Sequence, residues 1–105
     1  MSNELLVKNA LKRQEAFKNL AGYLKIIKET VREVDPHAKA YMFGSVVENK
    51  NNYSSDIDIL IITKLPPAEI HAELWKAGIK EPFEIHVYTP KEATFFKTRA
   101  KLVKI

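Results

Sequence analysis

Two aspartates separated by a single residue, Asp56 and Asp58, stand at the head of the apolar run Ile59-Leu60-Ile61-Ile62. Side chains on an extended strand alternate between faces, so Asp56, Asp58, Leu60 and Ile62 share one side, with Ile57, Ile59 and Ile61 on the other. The two carboxylates then lie about 7 Å apart along the backbone. Like charges this close at the start of a buried strand repel each other and resist desolvation. Folding alone would favour Thr or Val here. A bound divalent cation resolves the conflict, because two carboxylates can clamp one ion or bridge a pair about 3.5–4 Å apart.

A third acid, Glu84, lies in another apolar run, 83-FEIHVY-88, where it shares a face with His86 while Ile85 and Val87 point the opposite way. If the two strands pair, Glu84 stands beside Asp56 and Asp58. Three converging oxygen ligands suit magnesium or manganese rather than zinc. His86 itself reads as an ordinary strand histidine, packed or exposed. His37 and His71 have no metal-ligand spacing. Upstream, Gly44-Ser45 follows a short strand. Glycine allows close approach of backbone to a ligand, and the serine begins a helical turn with free N–H groups, a natural seat for phosphate oxygens. A phosphate site on one strand beside a carboxylate metal site on the next points to phosphoryl or nucleotidyl transfer.

The elements that must hold these groups are legible from periodicity. Phe17, Leu20, Leu24, Ile27, Val31 and Val34 recur at steps of three and four, extended upstream by Leu6 and Ala10. That spacing predicts one long helix over roughly 3–34, with Ser2 or Asn3 as N-cap, Gly22 as the place for a kink, and Asp35-Pro36 as the stop. A short strand from Ala38 to Phe43 follows, then the Gly44-Ser45 turn and a polar loop from Asn49 to Ser55. The strand Asp56–Thr63 has the β-branched bias of a central strand buried on both faces. Pro66-Pro67 opens a helix carrying Ile70, Leu74 and Trp75 as core residues, closed by Gly78. Phe83–Tyr88 forms a third strand. Thr89-Pro90-Lys91-Glu92 is a capping box that starts a last helix, with one of Phe95 and Phe96 in the core and the other near the surface. The expected architecture is α/β (α+β): a small mixed sheet flanked by helices.

The chain has 105 residues and enough apolar content for a single domain over 1–105 with one real core. It has no cysteine, which excludes disulfides, thiolate chemistry and cysteine-ligated zinc. With no signal-peptide layout and no apolar run of membrane-spanning length, a cytoplasmic protein away from membranes is expected. The formal charge of +4 comes from the last fifteen residues, where Lys91, Lys97, Arg99, Lys101 and Lys104 face Glu92 alone. These cations read as a solvated helix end suited to the helix dipole. Direct nucleic-acid binding is not expected, because aromatic residues are not threaded through the basic ones. The apolar stripe of the first helix would serve a homo-oligomer as well as the core.

Gly44-Ser45, ten residues, then Asp56-Ile57-Asp58 resembles the G-S-x10-D-x-D signature of the minimal nucleotidyltransferases, a family of the DNA polymerase beta-like nucleotidyltransferase superfamily. Tyr41-Met42-Phe43 and Ile59-Leu60-Ile61-Ile62 look like that family's flanking strands. The resemblance implies a nucleotidyltransferase fold. It also implies transfer of a nucleoside monophosphate, AMP from ATP, to an acceptor hydroxyl, with Mg2+ or Mn2+ as cofactor. Asp56, Asp58 and Glu84 would be the metal ligands and catalytic acids, and Gly44 and Ser45 would hold the nucleotide, with Lys50 as the nucleotide-binding cation that compensates for the one missing after Gly44-Ser45. Minimal relatives are often paired with a small HEPN-domain protein as antitoxin and toxin, so a HEPN-type partner would be the acceptor. Two features depart from the family pattern: Glu84 stands where Asp is common, and Val47-Glu48-Asn49 replaces an Ala-Arg-Gly segment. The exchange of a cation for Glu48 leaves a second reading open, a catalytically inert module that binds and neutralises or scaffolds its partner.

Overall fold

The computed structural model describes residues 2–48 and 56–105. The β-branched run forms the central strand β2 (Ile57–Ile62), in which Ile57, Ile59, Leu60 and Ile61 are 0 % exposed. On one side β1 (Lys39–Phe43) pairs with it antiparallel, setting Tyr41 opposite Leu60 and Phe43 opposite Asp58. On the other side β3 (Phe83–Tyr88) pairs with it parallel, setting Glu84 opposite Asp58 and His86 opposite Leu60. A parallel neighbour requires a crossover connection, which α3 (Pro67–Lys76) supplies. Among the described residues the result is a mixed four-stranded sheet of order β3-β2-β1-β4.

The strand register divides the sheet into two faces. Ile57, Ile59 and Ile61, with Ala40 and the half-buried Ile85 and Val87, pack against Ile27, Val31, Ile70 and Leu74 in the larger core. Leu60 and Ile62, with Tyr41, Phe43 and Tyr88, pack against Ala93 and Phe96 of α4 (Pro90–Lys97). Helix α4 starts at the expected capping box, in which the Thr89 hydroxyl accepts from the Glu92 N–H at 3.2 Å and the Glu92 carboxylate accepts from the Thr89 N–H at 2.9 Å. Asp58 and Glu84 lie at the far end of the same face, half-buried and exposed respectively.

Several sequence expectations give way. The long first helix is two helices, α1 (Ser2–Lys18) and α2 (Leu20–Val34). The break falls at Asn19 (φ −110°, ψ 27°), not at Gly22, which lies inside α2. Asn19 sends both its backbone N–H and its side-chain amide to the Glu15 carbonyl, at 2.9 and 3.2 Å. Such local side-chain bonding competes with helix propagation. Phe17 through Val34 reach the core as the stripe predicts, whereas Leu6 and Ala10 are exposed and Ala16 is buried instead. The side chains of Ser2 and Asn3 and the polar loop 49–55 lie outside the described residues. Trp75 is 62 % exposed rather than core, with the Lys80 ammonium 4.5 Å above its ring. The basic tail is not a helix end throughout: past Lys97 it returns as β4 (Val103–Lys104), antiparallel to β1 with Val103 opposite Met42.

A part-buried hydrogen bond ties the end of α2 to the end of β2. The Thr63 hydroxyl, on a residue 3 % exposed, donates to Asp35 Oδ2 at 2.6 Å, and the His37 N–H donates to Oδ1 at 3.0 Å. The Thr63 bond, followed by the His37 N–H, holds the Asp35 carboxyl below its ordinary pKa. A carboxyl lowered by folding contributes stability above its unfolded pKa, and that stability is lost as pH falls through the lowered folded value. Thr63→Val should therefore raise the Asp35 pKa in a carbon-13 carboxyl titration. It should cost about 1 kcal/mol at neutral pH, with the difference from wild type shrinking in acid. An Asp35 titration unchanged by the substitution would contradict this account.

Candidate active site

Asp58 is the first residue of β2 on the α4 face, with Phe43 of β1 on one side and Glu84 of β3 on the other. The strand period carries His86 to the same face, two residues beyond Glu84. His86 Nε2 lies 3.4 Å from Asp58 Oδ1 and 3.7 Å from Glu84 Oε1. Asp58, Glu84 and His86 each offer one ligand atom, all within 4.8 Å of one another. The side chains are 23 %, 55 % and 27 % exposed respectively, so the group is reachable from solvent. The imidazole packs edge-on to the Phe43 ring at 5.2 Å between centroids, and Phe43 packs in turn on Phe96 at 4.9 Å. The aromatic core under α4 thus fixes the ring.

Gly44 follows directly on β1 with φ +82°, the left-handed region. A Cβ built there would overlap Asp58 Oδ2. Glycine is required twice over, for its dihedral and for the space Asp58 fills. The chain then makes a single turn over 45–48, closed by the Glu48 N–H donating to the Gly44 carbonyl at 3.1 Å. Ser45 is half-buried at its start. One oxygen of Asp58 therefore faces the Gly44 backbone and the other faces His86.

Asp56 stands outside this group. It precedes β2, and its Oδ1 accepts from Arg13 Nη2 of α1 at 3.3 Å. The side chains are 26 % and 47 % exposed for Arg13 and Asp56, and an open pair of this kind contributes about 0–1 kcal/mol. Arg13 Nε is buried without a hydrogen-bond partner among the described residues. Lys50 lies outside the described residues. Glu84 joins Asp58 on the face that strand alternation expects. Two groups at or beside the site were not singled out as part of it: His86, whose signal was its i, i+2 relation to Glu84, and Arg13, which has no local signal because it lies 43 residues from Asp56.

Two carboxylates and an imidazole converging on one point form a donor set for a divalent cation, and the adjacent Gly44 turn presents backbone at close range. A cleft of about 630 Å3 lined by Lys12, Tyr23, Trp75 and Phe83 contains none of these groups. Gly44→Ala should displace the Asp58 carboxylate and destabilise the fold by roughly 1–3 kcal/mol, the scale of a strained backbone residue. Thermal denaturation together with the Asp58 carboxyl chemical shift checks this. A variant that melts like wild type with that shift unmoved would contradict the tight fit.

Comparison with known proteins fits this arrangement. Residues 24–105 match the family model of the nucleotidyltransferase domain. A crystal structure of a protein assigned as a nucleotidyltransferase superposes with a TM-score of 0.67 at 31 % identity, covering 80 % of this chain and 98 % of that one. A second, from Sulfolobus solfataricus, shares the fold with a TM-score of 0.60 at 24 % identity, covering 91 % and 85 %. No curated protein matches significantly. The matched stretch takes in every strand of the sheet together with Gly44, Asp58 and Glu84, and the chain belongs to the nucleotidyltransferase domain family of transferases.

Proposed function

We propose that this transferase moves a nucleoside monophosphate, AMP from ATP, onto an acceptor hydroxyl of a partner protein, with a divalent cation, magnesium or manganese, at its carboxylates. The observation that carries the reading is the convergence of Asp58 and Glu84 beside the Gly44 turn. Asp58 and Glu84, with Asp56 after release from Arg13, hold the cations. Gly44, Ser45 and Lys50 hold the triphosphate. Bound cations supply Lewis-acid stabilisation of charge on the phosphoryl oxygens. Glu84, the more exposed carboxylate, takes the proton of the acceptor hydroxyl at a carboxylate oxygen. The hydroxyl oxygen bonds to the α-phosphorus as the bond to the β-phosphate oxygen breaks, and pyrophosphate leaves. By likeness to minimal family members, the acceptor is a HEPN-type protein in the cytoplasm and this chain is its antitoxin.

A specific observation favours a second reading, that of an inert module which binds the partner without turnover. Asp56 is occupied by Arg13, and Glu48 places an anion on the turn that would receive the phosphates. One experiment separates the two. The protein is incubated with magnesium, α-labelled ATP and a HEPN-type partner. Label should appear on the partner and fall by roughly 10²-fold or more in Asp58→Asn, the scale of losing one preorganised electrostatic group. A stable complex that never acquires label would contradict the enzymatic reading and leave the binding module.

A further inference from the structure

His86 is the member of the cluster that neither the sequence signature nor the proposed chemistry uses. Its Nε2 stands between two carboxylates, 3.4 Å from Asp58 and 3.7 Å from Glu84. Charge-assisted N–H···O bonds run at about 2.7–2.9 Å, so the 3.4 Å hydrogen bond to Asp58 is a long one and Glu84 lies beyond hydrogen-bond distance. Neighbouring ligands of an octahedral ion with bonds of about 2.1 Å stand roughly 3 Å apart, which these separations approach with a small contraction. The ring is held in place by Phe43. Asp56, the other acid of the aspartate pair, is engaged elsewhere by Arg13.

Resting on the metal-bearing reading above, we propose that His86 Nε2 is a ligand of the cation held by Asp58 and Glu84, and that this nitrogen-containing set selects manganese over magnesium. Magnesium takes oxygen ligands and keeps several waters. Imidazole nitrogen suits first-row transition ions, and two carboxylates beside it keep the site compatible with manganese. Ligation needs the Nε2 lone pair, so in the metal-bound protein the ring proton would sit on Nδ1.

Calorimetric titration of the intact protein with MnCl2 and with MgCl2, without nucleotide, tests this. Wild type should bind manganese at least about tenfold more tightly than magnesium. His86→Asn should weaken manganese binding by about tenfold or more, since even second-shell changes cost that much, while leaving magnesium binding unchanged. A measurement on the unmutated protein avoids dependence on the variant's folding: nitrogen-15 NMR with ZnCl2 should move the His86 Nε2 resonance to a metal-bound position with Nδ1 protonated. Equal manganese affinity in wild type and His86→Asn, or an Nε2 resonance unmoved at saturating zinc, overturns the inference. Magnesium-supported label transfer with His86-independent manganese binding overturns it too, while the transferase reading stands. His86-dependent manganese binding without label transfer supports it and counts against turnover.

Discussion

The parallel pairing of β2 with β3 sets Asp58 directly opposite Glu84, and the rest of the site follows from that register. Two carboxylates on adjacent strands repel each other, and a sheet that accepts them must be held by other contacts. The neighbouring positions provide these: Ile57, Ile59, Leu60 and Ile61 are fully buried, each such side chain contributing about 1.5–3 kcal/mol. A one-residue slip of β3 would turn Ile85 towards α4 and Glu84 into the larger core. The hydrophobic pattern that stabilises the sheet thus also sets the two carboxylates side by side at its open end.

Other elements adapt to that pair of carboxylates. Gly44 gives up a side chain so that Asp58 can lie against the backbone. The Phe43–Phe96 contact links the imidazole to α4, so the packing that closes the second core also orients a polar group at its rim. Helix α1 lies outside the stretch matched to the family model, yet Arg13 reaches Asp56 from it. A segment beyond the shared domain therefore touches one acid of the motif that identifies the domain.

Legibility in the sequence followed the strength of local signals. The alternation in Phe83–Tyr88, the β-branched run of β2 and the Thr89–Glu92 capping box each specify their element within a few residues, and all three formed as expected. Spacing alone also brought Gly44 beside the aspartate strand. The break at Asn19 was hidden because the apolar stripe continues across it in phase, and a single side-chain bond decides where the helix divides. Strand β4 has two residues, too few for any period, and exists because the edge of β1 is free to accept it. Trp75 sits at helical spacing with core residues, yet near the end of a short helix its ring projects to solvent and meets Lys80. His86 was visible beside Glu84, but only the three-dimensional register brings it within reach of Asp58.

The most direct test of the central claim is anomalous diffraction from crystals grown with manganese and a non-hydrolysable ATP analogue. A manganese peak bonded to carboxylate oxygens of Asp58 and Glu84, with the analogue's phosphates against Gly44 and Ser45, is the expected result. Manganese bound elsewhere, with the analogue remote from the Gly44 turn, would contradict the account.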